Sequence, residues 1–165
     1  MQNTNDKKDC GPCTACCDGW VKMNINGTLV YPGHPCPNIT PKGCAIYASR
    51  PKLCADFNCS WLQNEINFPG WMRPDISRVI VKNLNWIKGK SILTAIPVGR
   101  TVPESALNYL KKISQNYSLP LLYFERIEDN GVYKTEMDVF GYGPKKVKNM
   151  LEKIRSTLEK CDQME

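Results

Sequence analysis

Histidine is almost missing from this chain: 165 residues contain one, His34. That excludes the paired-histidine helix of zinc proteases, and it leaves a Cys–His nucleophilic pair with no motif to support it. Gly-rich phosphate loops and nucleophile elbows are lacking as well. No apolar run approaches the roughly 18 residues needed to span a bilayer, so a membrane role is not expected. Aromatic residues make up only 9% of the chain, too few to suggest a broad base-stacking surface. The polar opening, Met1 to Lys8, has no apolar stretch of the secretory kind, and a cytoplasmic protein is expected. What remains is a chain of ordinary composition, long enough for one domain or a domain with a small module, and able to bury a core without covalent staples.

Against that background the nine cysteines stand out. Eight fall between Cys10 and Cys59, and the rest of the chain holds only Cys161. In a reducing compartment such a cluster points to metal binding or redox chemistry; the competing explanation is a disulfide framework in an exported protein. Charge bears on the choice. Residues 1–75 carry seven Lys/Arg against six Asp/Glu, while residues 76–165 carry fifteen against ten. Eight thiolates would take the first part from +1 to −7, so the thiols must stay protonated, near their usual pKa of about 8.5, or be neutralised by cations. The overall charge of +6 is therefore a weak argument for nucleic acid, which is disfavoured as a partner.

The first group is Cys10-Gly-Pro-Cys13-Thr-Ala-Cys16-Cys17. Two-residue spacers let successive sulfurs converge on one centre, and Gly11-Pro12 suits the tight turn this needs. The adjacent Cys16 and Cys17 point in different directions, so a doublet more naturally splits between two ions or supplies one ligand and one neighbouring thiol. The second group, Cys36, Cys44, Cys54 and Cys59, is irregularly spaced. Together they supply eight thiols, enough for two four-sulfur sites. Zinc and iron, the latter as a mononuclear centre or an iron–sulfur cluster, both suit soft thiolates.

The Cys10-x2-Cys13-x2-Cys16-Cys17 block, with Cys36-Pro37, Gly43-Cys44-Ala45-Ile46-Tyr47 and Arg50-Pro51-Lys52-Leu53-Cys54-Ala55-Asp56-Phe57-Asn58-Cys59, resembles the YkgJ-type cysteine cluster family. That family is described as a zinc- or iron-chelating domain defined by eight cysteines. The resemblance covers roughly residues 10–60, and it implies that all eight, Cys10, Cys13, Cys16, Cys17, Cys36, Cys44, Cys54 and Cys59, are metal ligands. A related cluster occurs in flagellin lysine methylases, which are longer; nothing in residues 76–165 matches a methyl-donor site, so that activity does not carry over.

The rest of the chain supports an α+β fold: an irregular cysteine-rich metal-binding module over residues 1–63, a connection over 64–75, and a supporting unit over 76–165. A hairpin is expected at Val21–Tyr31 with Asn26-Gly27 at its turn. The supporting unit reads as ββαββα, an antiparallel sheet with both helices on one face. Its strands are Ser77–Trp86 and Ser91–Val98 around Lys88-Gly89-Lys90, then Leu121–Ile127 and Val132–Phe140 around Asn130-Gly131. Along the last of these, Tyr133, Thr135, Met137 and Val139 should share one face. Thr101-Val-Pro-Glu104 reads as a capping box opening a helix through Ala106, Leu107, Leu110 and Ile113. A last helix is expected from Pro144 to Lys160. Its basic residues, Lys145, Lys146, Lys148, Lys153 and Arg155, read as a solvated face. His34 reads as a solvent-facing loop residue, with thiolate replacement as the alternative. Arg50 either ends a short turn over Ala45–Ser49 or donates to metal-bound sulfur. Trp20, Trp61, Trp71 and Trp86 read as packing residues over the cysteine module or core.

These features lead to an expected metal-chelating protein. The alternatives are a metal- or iron–sulfur-dependent enzyme acting on a protein or small molecule, and a zinc module that binds nucleic acid. No protein partner is indicated.

Overall fold

The computed structural model describes residues 8–64, 66–85 and 91–143. After a tight turn in which the Cys13 amide donates to the Cys10 carbonyl (2.9 Å), a π-type turn runs over Cys16–Trp20. Strands β1 (Met23–Ile25) and β2 (Thr28–Val30) form the expected hairpin, with Asn26 and Gly27 at φ 50° and 88°. That left-handed pair is what a two-residue type I′ turn requires. A second, minimal hairpin pairs β3 (Ile39–Thr40) with β4 (Gly43–Cys44).

A 3-10 turn over Tyr47–Ser49 ends at Arg50, whose extended backbone fits a residue before proline. Helices α1 (Lys52–Asp56) and α2 (Ser60–Gln63) follow. The 64–75 stretch, although rich in turn residues, is more than a connection: Phe68 and Met72 are fully buried in the main core. It contains a 3-10 turn over Gly70–Met72 and leads into α3 (Pro74–Ser77).

Past α3 come β5 (Val79–Asn85), β6 (Ser91–Pro97), α4 (Glu104–Asn116), β7 (Leu121–Asp129) and β8 (Val132–Tyr142). The described elements of this part are ββαββ, and the protein is α+β. One expectation is corrected. The sheet, ordered β5-β6-β7-β8, is mixed: β5–β6 and β7–β8 are antiparallel, but β6 and β7 pair in parallel through Leu93↔Leu121, Thr94↔Leu122 and Ala95↔Tyr123. The cause is connectivity. A helix between two neighbouring strands returns the chain to the same end of the sheet, so they run the same way. The Pro144–Lys160 helix, its basic face, the Lys88–Lys90 turn, Trp86 and Cys161 lie outside the described residues.

The capping box does not form. Helix α4 starts at Glu104 behind Pro103, with no side-chain cap, and Thr101 lies outside it. Its apolar stripe nevertheless packs as expected: Ala106, Leu110 and Ile113 meet Val79, Val81, Leu93, Ala95 and Leu121 on one sheet face. The alternation along β8 is only partly expressed. Tyr133 and Met137 are half-buried, while Thr135 and Val139 are exposed, and the pairing with β7 shifts register between Arg126 and Glu128.

The opposite sheet face carries the cysteine region. Ile80, Ile96 and Val98 pack with Ala15, Cys13, Cys16, Cys59, Trp20 and Trp61. Two basic side chains extend from the sheet to main-chain carbonyls of that region: Lys82 to Asn58 (2.8 Å) and Arg126 to Trp20 (2.6 Å).

Two glycines mark main-chain crossings inside the cysteine region. A Cβ on Gly19 (φ 91°) would overlap the Tyr31 carbonyl, and one on Gly43 (φ 114°) the Gly11 carbonyl. Gly19→Ala and Gly43→Ala are therefore expected to cost about 3 kcal/mol or more, combining backbone strain with a clash against main chain. Gly27→Ala, at φ 88° in open space, should cost only about 1 kcal/mol. Urea unfolding of the three variants checks this ranking.

Candidate metal centre

All eight cysteines between residues 10 and 59 line one cavity of about 80 Å³. Cys36 and Cys59 are buried and the other six partly so, and all eight are free thiols. The remaining wall is largely apolar, with Met23, Ile25, Ile46, Phe57, Trp61 and Leu62, and it includes Arg50 and Arg73 but no carboxylate.

Short local structures position the sulfurs. The Cys10–Cys13 turn and the π-type turn present the first group. Cys36 is fixed by its amide donating to the Cys17 carbonyl (2.8 Å), and its own carbonyl accepts from Ile39 (3.2 Å). The β3–β4 pairing sets Cys44 opposite Ile39. Cys54 lies on α1, and Cys59 immediately precedes α2. The Asn38 amide lies 3.8 Å from the Cys36 sulfur as a weak donor.

Burial is the leading influence on the perturbed thiols, and it opposes ionisation. It pushes Cys13 up to about 11, against donation from the Ala15 and Asp75 amides. It pushes Cys17 up to about 12, with the charges of Cys44, Cys36 and Cys54 acting in the same direction. Cys16 lies well above the ordinary thiol range through burial and then repulsion from Cys59 and Cys13. Cys54 and Cys59 are also raised, first by burial, with Arg50 and Lys82 respectively opposing the shift.

Cations surround the sulfurs. Arg73 holds Asp75 through two hydrogen bonds of 2.6 and 2.9 Å. Burial tends to raise the Asp75 carboxyl, but the Arg73 pair keeps it below its usual range. Lys8 lies over the Trp61 ring and donates to Asn64 and the Phe68 carbonyl. Arg50 stacks on Tyr47 (4.0 Å) and donates to its carbonyl. Arg73, Asp75 and Lys82 escape a reading based on cysteine spacing, because no local motif ties them to sulfurs so distant in sequence.

The other candidates separate clearly. His34 is exposed, stacks on Tyr31 at 4.0 Å and does not line the cavity. Trp20 packs edge-on to Tyr133, Trp61 lines the cavity, and Trp71 meets Tyr109. These three do not form one stacking surface.

Soft sulfur donors, a small cavity, a wall without carboxylates and surrounding positive charge fit a thiophilic ion better than a hard one. As placed, however, no three His, Cys, Asp or Glu groups among the described residues form a set that could hold an ion. The sulfurs line a common space without forming such a set. No helix among the described residues is long and apolar enough to cross a membrane. No family model, curated protein or solved structure matches the chain. The resemblance to the YkgJ-type family therefore rests on the eight cysteines and the Ile46-Tyr47-x2-Arg50-Pro51 stretch.

The raised thiols fix the sign of a pH dependence. Their folded pKa values exceed the unfolded ones, so the metal-free fold retains this contribution below about pH 9 and loses it as pH rises towards 11–12. The urea midpoint of chelator-treated protein should fall between pH 8 and pH 10.5. Alkylation by iodoacetamide at pH 8 should be slow in the native state and fast in urea.

Proposed function

We propose that this protein is a metal-chelating protein that holds zinc or iron through Cys10, Cys13, Cys16, Cys17, Cys36, Cys44, Cys54 and Cys59. The observation that carries the reading is the convergence of all eight thiols, drawn from 50 residues of chain, on one cavity. Buried neutral thiols make weak hydrogen bonds and small apolar contacts, which simpler side chains would supply as well. A site with this many has its clearest chemical use in sulfur coordination. The resemblance of the motif to a zinc- or iron-chelating family points the same way.

The residues divide the work. The thiols supply the ligands, and a bound ion would replace their protons. Arg50, Arg73, Lys8 and Lys82 offset negative charge that remains on the sulfurs. The apolar wall limits water. Zinc enclosed by sulfur would give structural order, and iron would add electron transfer. A cytoplasmic setting, which keeps thiols reduced, belongs to the same reading.

Protein purified without oxygen should contain tightly bound zinc or iron, about two zinc ions per chain if each takes four sulfurs. Brown colour with acid-labile sulfide would identify iron as a cluster. Metal loading of the apoprotein at pH 7 should release nearly one proton per coordinated thiol, measurable with an unbuffered indicator. Folded protein that lacks metal and takes up neither Zn²⁺ nor Fe²⁺ would refute the reading.

A further inference from the structure

Resting on that metal-binding reading, we propose that the eight thiols form two separate four-sulfur sites: Cys10, Cys13, Cys16 and Cys59 in one, Cys17, Cys36, Cys44 and Cys54 in the other. The division falls between adjacent residues, at the Cys16–Cys17 peptide.

Packing supports the first set. Cys13, Cys16 and Cys59 share the apolar cluster that rests on Ile80 and Val98 of the sheet part. Cys10 joins them through the tight turn that ties its carbonyl to the Cys13 amide. Packing and main-chain bonding support the second. Cys17, Cys36 and Cys54 share a different cluster, built on Met23, Ile25 and Val30 of the first hairpin. The Cys36 amide is bound to the Cys17 carbonyl, and the β3–β4 pairing that follows Cys36 returns the chain to place Cys44 opposite Ile39 of the same cluster.

Cys16 touches both clusters, whereas Cys17 belongs only to the second, so the boundary between the clusters falls at this pair. Consecutive residues in a helical turn point in well-separated directions, which suits two sites better than one. The surroundings differ too. Lys82 donates to the Asn58 carbonyl beside Cys59 of the first set, and Arg50 donates to the Tyr47 carbonyl between Cys44 and Cys54 of the second.

The test compares two double variants of the full chain. Cys10→Ser with Cys13→Ser removes two ligands from one set; Cys13→Ser with Cys44→Ser removes one from each. Metal is added as Co²⁺ or Zn²⁺ to apoprotein, and bound equivalents and the cobalt–thiolate spectrum are read, with circular dichroism as the folding control. The within-set variant should keep half of the wild-type capacity with an intact tetrathiolate spectrum. The cross-set variant should lose tight binding at both positions. Equal loss in the two variants would overturn the division while leaving chelation intact, whereas no uptake by wild type would overturn the metal-binding reading itself. Cadmium NMR of loaded wild-type protein needs no variant: two uncoupled tetrathiolate signals support separate sites, and cadmium–cadmium coupling through bridging sulfur refutes them.

Discussion

Eight thiols can share one small cavity only while they are neutral or neutralised. Burial sets this constraint before any metal is considered, because it raises Cys13, Cys16 and Cys17 above the ordinary thiol range, and mutual repulsion adds to the effect. Cations from distant parts of the chain therefore matter. Arg73, Lys82 and Arg50 act on particular sulfurs, although none belongs to the Cys-x2-Cys motif. Protons and positive ions are competing solutions to one electrostatic problem. The proposed function is the case in which metal replaces the proton.

The same constraint explains how the irregular region joins the sheet. A segment of short turns and strands of two or three residues has little regular hydrogen bonding with which to order itself. The sheet supplies an apolar platform at Ile80, Ile96 and Val98 and two long basic arms. Both arms end on main-chain carbonyls, Asn58 beside Cys59 and Trp20 at the end of the turn that carries Cys16 and Cys17. They hold the backbone next to the sulfurs without occupying the sulfurs. Arg126 is itself 5% exposed, and its Nε has no hydrogen-bond partner among the described residues, while its guanidinium lies over Trp20.

Much of this arrangement is legible from residues near one another in sequence. Asn26-Gly27 and Asn130-Gly131 announce their hairpins because the type I′ turn needs positive φ at both positions. Ala106, Leu110 and Ile113 reveal the buried stripe of α4 by helical spacing. Features set by distant contacts are less accessible. Parallel pairing of β6 with β7 depends on where a helix returns the chain, and the strand patterns are compatible with either direction. Phe68 and Met72 are embedded in turn-rich sequence that suggests a surface connection, yet both are fully buried. Thr101 and Glu104 have the capping-box spacing, but Pro103 starts the helix too late for Thr101 to cap it. For the site, the cysteine motif identifies candidate ligands, whereas the basic residues beside them emerge only from the folded chain.

The parallel seam has a consequence for assembly. Each antiparallel pair joins neighbouring stretches, whereas the seam has three paired positions linking residues 93–95 to 121–123. Closing that longer loop costs more chain entropy before any contact offsets it. The apolar platform beneath the cysteines is Ile80, Ile96 and Val98, all in or next to the first strand pair, while the Arg126 arm that holds Trp20 comes from β7. During synthesis from the ribosome, the apolar platform and the Lys82 arm therefore emerge before the Arg126 arm. The cysteine-bearing end of the chain gains its two supports in sequence, and its hold at Trp20 waits for the parallel seam to bring β7 into place.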